Sequence, residues 1–333
     1  MPLRPLVLAL ALLLAPAAGA RASTYLPPPG KVFAGVSVGG LSSFDAASGK
    51  HAPVIQSFAA WDSTGTGYLT TARHLDARSM IHISTKSMSG REAITPRGIA
   101  MGHGDSHLLY LNRTMAQSDQ MVYVRLMAEM KGSWNPYSAY NANGTRRNRS
   151  HSTRNFKRAW RRVVLILRGG DVARIDARLH RLHMPRLHGA SAALPTPKVS
   201  FLWDPEVWGD PNVSGNVARA YWPGARFVDW VGTDFYSKFP NYRGLNAFYH
   251  EFRGKPFAFG EWALWGHDDP AFVRGLFSWI RSHRRVRMVM YNQGTDVSRS
   301  PFLLARYPRS AAVLRDELAG RLFAPVAPEF LAA

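Results

Sequence analysis

The chain has 333 residues, with 42 Lys+Arg against 22 Asp+Glu for a formal charge of +20, and no cysteine. The missing cysteine excludes disulfides, zinc-thiolate centres and thiol catalysis, so stability rests on a core that a chain of this length is able to bury. The basic residues are dispersed in short clusters such as "KRAWRR" at 157–162 and match no nucleic-acid module, which leaves a solvated arginine-rich face, suited to contact with an anionic cell wall or acidic polymer, as the better reading.

At the N-terminus, "MPLRPLVLALALLLAPAAGARAS" combines an early arginine, a short apolar run and small residues ending in Ala20-Arg21-Ala22. This pattern predicts a secretory signal peptide over 1–22, cleaved near Ala22, followed by a short extension over 23–30 and a single exported domain over 31–325. No other stretch approaches the roughly 18 continuous apolar residues of a membrane helix.

Eight strand-like runs follow, at 31–39, 53–61, 80–87, 121–129, 199–205, 229–237, 256–264 and 286–294. Amphipathic stretches separate them. The clearest is "SHSTRNFKRAWRRVVLILRGG", with Phe156, Trp160, Val163, Val164 and Leu167 at helical spacing, Ser152 placed to cap its start and Gly169-Gly170 to end it. Alternating strands and helices imply parallel pairing through right-handed crossovers, and eight units predict an α/β fold of the (β/α)8 TIM-barrel type. A doubly wound open sheet is the alternative, weakened because no Gly-rich phosphate loop follows the first strand. No cofactor is called for. The histidines of "GHGDSH" at 102–107 flank a helix start at which Asp105 serves equally well as N-cap, so no metal is expected.

The loops after the fourth and fifth strands are long and rich in Gly, Pro, Asn and Trp, and in a barrel such loops build the active face. On the fourth strand, period-two alternation puts Arg125, Met127 and Glu129 on one face with the acid last. On the seventh it puts Phe257, Phe259 and Glu261 on one face, again ending on the acid. Three barrel units of about 39 residues predict a separation near 117, close to that between the two glutamates. Strands four and seven face each other across a small barrel, so the two carboxylates are expected to converge over its mouth.

The ordered set "RLMAEMKGSWNPY", "WPGARFVDWVGTDFYS" and "KPFAFGEWALWGHDDPAFV" resembles glycoside hydrolase family 26, the endo-β-mannanases and related β-glycanases, over about 31–294. The resemblance implies that Glu129 is the general acid/base, Glu261 the nucleophile and Tyr236 the phenol that orients it. It implies secreted, retaining hydrolysis of β-1,4-mannan or a related β-linked polysaccharide. Arg125 needs a carboxylate partner inside the barrel, and support of the site and a purely structural ion pair are equally open. Trp134 and Trp265, each close to a proposed acid, are the first candidates for stacking on sugar. Trp203, Trp208, Tyr137 and Asn292 complete the candidate substrate-binding set, although half or more of the tryptophans near strand ends are expected in the core. Many relatives carry His directly before the acid/base and Asn two residues after it, where this chain has Ala128 and Lys131. A non-catalytic carbohydrate-binding or wall-adhesion protein on the same barrel is the competing reading.

Overall fold

The computed structural model describes residues 25–296 and 298–331. The signal peptide expected over 1–22 and its cleavage point lie outside the described residues. Eight strands form one closed, all-parallel barrel in sequence order: β1 Phe33–Ser37, β2 Val54–Ala59, β3 Arg78–Ile83, β4 Val122–Leu126, β5 Val199–Trp203, β6 Trp230–Tyr236, β7 Phe257–Ala263 and β8 Val286–Tyr291. Closure is completed by β1 pairing with β8, Phe33 opposite Met288, which overturns the open-sheet alternative. Each strand lies inside an expected run or within two residues of it. The runs overreach at their carboxyl ends, where apolar composition continues into the loops.

Alternation along the strands sorts side chains between two cores. Outward residues such as Val124, Phe201, Phe235 and Phe259 pack with the surrounding helices, while Phe33, Met80, Tyr123, Leu202, Trp230 and Met288 fill the lower barrel. The bottom is sealed by the chain's end. Arg78 there makes a two-pronged pair with Glu329, at 2.7 and 2.8 Å, and donates to the Tyr123 hydroxyl. Above the apolar layers the interior turns polar, with Gln56, Arg125, Asp204, Asp234, Glu261 and Asn292.

The expected helix runs Thr153–Arg168. The Ser152 side chain accepts from the Asn155 amide, and Gly169 at φ 69 follows its last turn. Asp105 does not act as an N-cap. It is the first residue of the helix Asp105–Ser118, and its carboxylate pairs with buried Arg162. Among the described residues no helix is long and apolar enough to cross a membrane.

Candidate active site

Glu129 is not presented by simple alternation. β4 ends at Leu126, and the chain then adopts left-handed backbone at Met127 (φ 42) and Glu129 (φ 52), a conformation costing non-glycine residues roughly 1–3 kcal/mol each. Neighbouring strands hold it there. The Met127 amide donates to the Ile83 carbonyl and the Glu129 amide to that of Asp204, both at 2.8 Å. Within the loop, Tyr137 donates to the Ala128 carbonyl at 2.6 Å and Asn135 to that of Glu129 at 3.0 Å. The Trp134 indole donates to Glu129 Oε2 at 2.9 Å, fixing the carboxyl at the rim while 52% of Trp134 remains exposed.

Glu261 also departs from the expected pattern. Phe257 and Phe259 face the helices, and unbroken alternation would send Glu261 after them. The pairing with β6 slips between Thr233 and Asp234, and that with β8 slips between Phe259 and Trp262. This bulge turns Gly260 and Glu261 together into the barrel. Gly260 makes the turn possible, because a Cβ there would lie 1.8 Å from Asp204 Oδ2 and 2.7 Å from Arg125 Nε. Once inside, Glu261 Oε1 accepts from Arg125 at 2.5 Å and Gln56 at 3.2 Å. Its Oε2 accepts from Tyr236 at 2.5 Å and Asn292 at 2.7 Å. Four donors on two oxygens is coordination suited to a carboxylate.

Arg125 spreads its guanidinium over three acids: Asp204 at 2.5 Å, Glu261 at 2.5 Å, and Asp234. One cation among three buried carboxyls leaves an excess of acid. Burial pushes Asp204 up to about 6 against the pull of Arg125, and burial with the charges of Asp204 and Glu261 holds Asp234 well above the carboxylate range. Burial, then the charges of Glu261, Asp234 and Glu129, raise the Tyr236 phenol, keeping it a hydrogen-bond donor. Both catalytic candidates therefore act on the same phenol.

The cleft above has a volume of about 520 Å³. It is lined by Glu129 and Trp134, by Glu206 and Trp208 from the loop after β5, and by Tyr236 and Trp265. Trp208, Phe239 and Trp265 meet edge to face at 6.4 and 5.8 Å, giving a nearly continuous aromatic wall.

Trp134, Trp208 and Trp265 thus reach the cleft as expected. Trp203 does not: it is fully buried on the helix side of β5, 4.8 Å from Trp222 and 4.9 Å from Phe252, because alternation from Leu202 turns it outward. Tyr137 is also buried and braces the Ala128 carbonyl instead of facing sugar. Asn292 sits beside Glu261 and donates to it and to Tyr236. Sequence reasoning missed Gln56, Asp204, Glu206 and Asp234. Asp204 continues the inward set of β5 two residues beyond Leu202, and Asp234 precedes Tyr236 on the inward face of β6, so alternation carried the signal.

No protein-family model matches the chain, and no curated protein matches it in sequence. Solved structures do match. The GH26 β-mannanase from Bacteroides ovatus aligns with a TM-score of 0.61 at 16% identity, over 92% of this chain and 94% of that one. The fold is that of a GH26 β-mannanase. GH26A from a Muricauda species aligns with a TM-score of 0.57 at 14% identity, over 89% and 92% of the two chains. The Bacillus subtilis mannanase gives 0.55 at 14% identity, over 92% and 90%.

Proposed function

We propose that this protein is a secreted, retaining β-glycanase of the family 26 type, acting internally on β-1,4-mannan or a related β-linked polysaccharide. The observation that carries the reading is the unequal support of two rim acids. Glu261 is gripped by Arg125, Tyr236, Asn292 and Gln56, whereas among the described residues the Glu129 carboxyl is held by one donor, the Trp134 indole. A gripped carboxylate suits the nucleophile, and a lightly held one suits a group that must give up and regain a proton. Retaining hydrolysis needs these groups about 5–5.5 Å apart.

In the first step a Glu261 oxygen attacks the anomeric carbon. The bond to the leaving oxygen breaks and that oxygen takes the Glu129 proton. In the second step Glu129 accepts a proton from water as its oxygen attacks the same carbon, releasing Glu261 and a product of unchanged anomeric configuration. Tyr236 and Asn292 hold Glu261 in line, and the aromatic wall offers faces on which sugar rings stack. Export rests on the reading of residues 1–22. The test is incubation of the mature protein with mannan, glucomannan, mixed-linkage β-glucan and xylan, with the anomer of the first product read by NMR. Cleavage with retention is expected. No cleavage, or an inverted product, overturns the reading.

A further inference from the structure

The loop after β4 has two halves, and the proposed hydrolysis uses only the first, which carries Glu129 and Trp134. The second half, with the start of the helix Thr153–Arg168, encloses a separate cavity of about 550 Å³. Its lining is Arg146, Arg149, Arg154 and Arg158 with two asparagines and one serine, and it contains no acid and no aromatic ring among the described residues. Arg146, Arg149 and Arg154 are exposed and Arg158 is half-buried.

The surroundings give these charges nothing to pair with. Arg158 donates to the His183 carbonyl, but among the described residues none of the four guanidiniums forms an ion pair with a carboxylate. The acid beside this loop, Glu92, is taken by His151 at 2.8 Å. The first turn of the helix carries no acid, so its positive end adds to the arginine charge. Burial, then the like charges of Arg154 and Arg97, pull the Arg158 guanidinium below its ordinary value. Arg147, in the same run, has a different use. It donates to the carbonyls of Ser133, Asn135 and Pro136 at 2.7, 2.8 and 2.6 Å, which ties the basic cavity to the Trp134 turn on the active face. The walls are fixed as well. Arg146 pairs with Tyr140 in an antiparallel bridge, Asn148 accepts from the Ser150 amide at 2.8 Å, and buried Asn155 donates to the Arg149 carbonyl at 2.7 Å. A preset backbone lowers the ordering cost of binding.

Four guanidiniums around one concavity suit oxyanions, because each fork matches a carboxylate or sulfate with two hydrogen bonds and stays charged at any working pH. The concavity separates them from other exposed arginines, such as Arg174, Arg178 and Arg181 along the outer face of the helix Val172–Arg181. A single-stranded nucleic acid gains much of its affinity by stacking bases on aromatic rings, and this lining has none. We propose that the cavity binds the acidic groups of a polysaccharide, carboxylate or sulfate, and so holds an anionic glycan on the loop that also walls the cleft. The inference goes beyond the hydrolase reading and does not depend on it.

The test is calorimetric titration of the mature protein near pH 7 with hexamers of galacturonate, of sulfated galactose and of thymidylate. The wild type is compared with Arg146→Gln/Arg149→Gln/Arg154→Gln and with a charge-matched control, Arg174→Gln/Arg178→Gln/Arg181→Gln, both checked for folding by circular dichroism. At least one acidic glycan hexamer should bind the wild type, more weakly as salt is added, and should lose about tenfold in the cavity variant but under about twofold in the control. The galacturonate and sulfated arms show which acidic group is taken. Equal losses in the two variants overturn the inference, since general charge then accounts for the binding. Failure of both glycan hexamers to bind the wild type overturns it too, as does tighter, cavity-dependent binding of the thymidylate hexamer. Binding is read without turnover, so none of these outcomes touches the hydrolase reading.

Discussion

Arg125 and Arg162 are both fully buried, and the difference between their surroundings separates structural from functional electrostatics. Arg162 donates to both oxygens of Asp105, at 2.7 and 2.5 Å, and turns its remaining N–H groups to the carbonyls of Pro185 and Arg186. One cation meets one carboxylate, and neutral oxygens absorb the rest. Arg125 instead meets Asp204, Asp234 and Glu261, and the Asp204 and Asp234 carboxyls also hydrogen-bond to one another. A balanced pair locks helices together. An overloaded one leaves buried Asp204 and Asp234 holding their protons more tightly than free carboxyls beneath an open cleft, which stability alone does not call for.

The most severe way to break the comparison removes the acid that Arg125 grips. Glu261→Ala should cost roughly 10⁴-fold or more in glycan hydrolysis while the fold survives, as checked by product release and circular dichroism; near-normal turnover would refute the nucleophile role. Next come the two arginines. Arg125→Met and Arg162→Met should each lose about 3–5 kcal/mol in denaturant unfolding, since each strands buried carboxylates. Only Arg125→Met should also abolish turnover per folded molecule. If Arg162→Met does so as well, the distinction fails.

Protonation gives a smaller effect. The folded values of Asp204 (about 6), Glu206 (about 8) and Asp234 (well above the carboxylate range) exceed those of the unfolded chain, so the folded protein keeps protons that the unfolded chain has released. Their contribution is full below the unfolded carboxylate values, near pH 4. It is lost as pH rises through the folded values, at up to about 1.4 kcal/mol per pH unit for each proton. Thermal midpoints should therefore fall from about pH 5 to about pH 8, and Glu206→Gln should flatten that fall. An unchanged slope in the variant would refute Glu206 as a proton-holding group. The mildest change is Trp134→Phe, which removes the indole donor to Glu129 and should cost about 1 kcal/mol, under tenfold in kcat, measured by steady-state kinetics.

The sequence by itself determined the order of the eight strands, the closed barrel they imply, the cap and stop of Thr153–Arg168, and the two acids at the ends of β4 and β7. Each is written in local periodicity and local chemistry. The tertiary structure decided where those side chains point. A bulge at Gly260 reverses the parity of β7, so Glu261 faces inward although Phe257 and Phe259 do not. Glu129 is aimed by two left-handed residues held by hydrogen bonds from β3 and the end of β5, partners far away in the chain. Alternation shows that Trp203 lies opposite Leu202, but only the packed helices show that its face is dry. Period-two reasoning counts residues along one strand, whereas the direction of a side chain past an irregularity, and the charges it meets there, depend on the register of its neighbours.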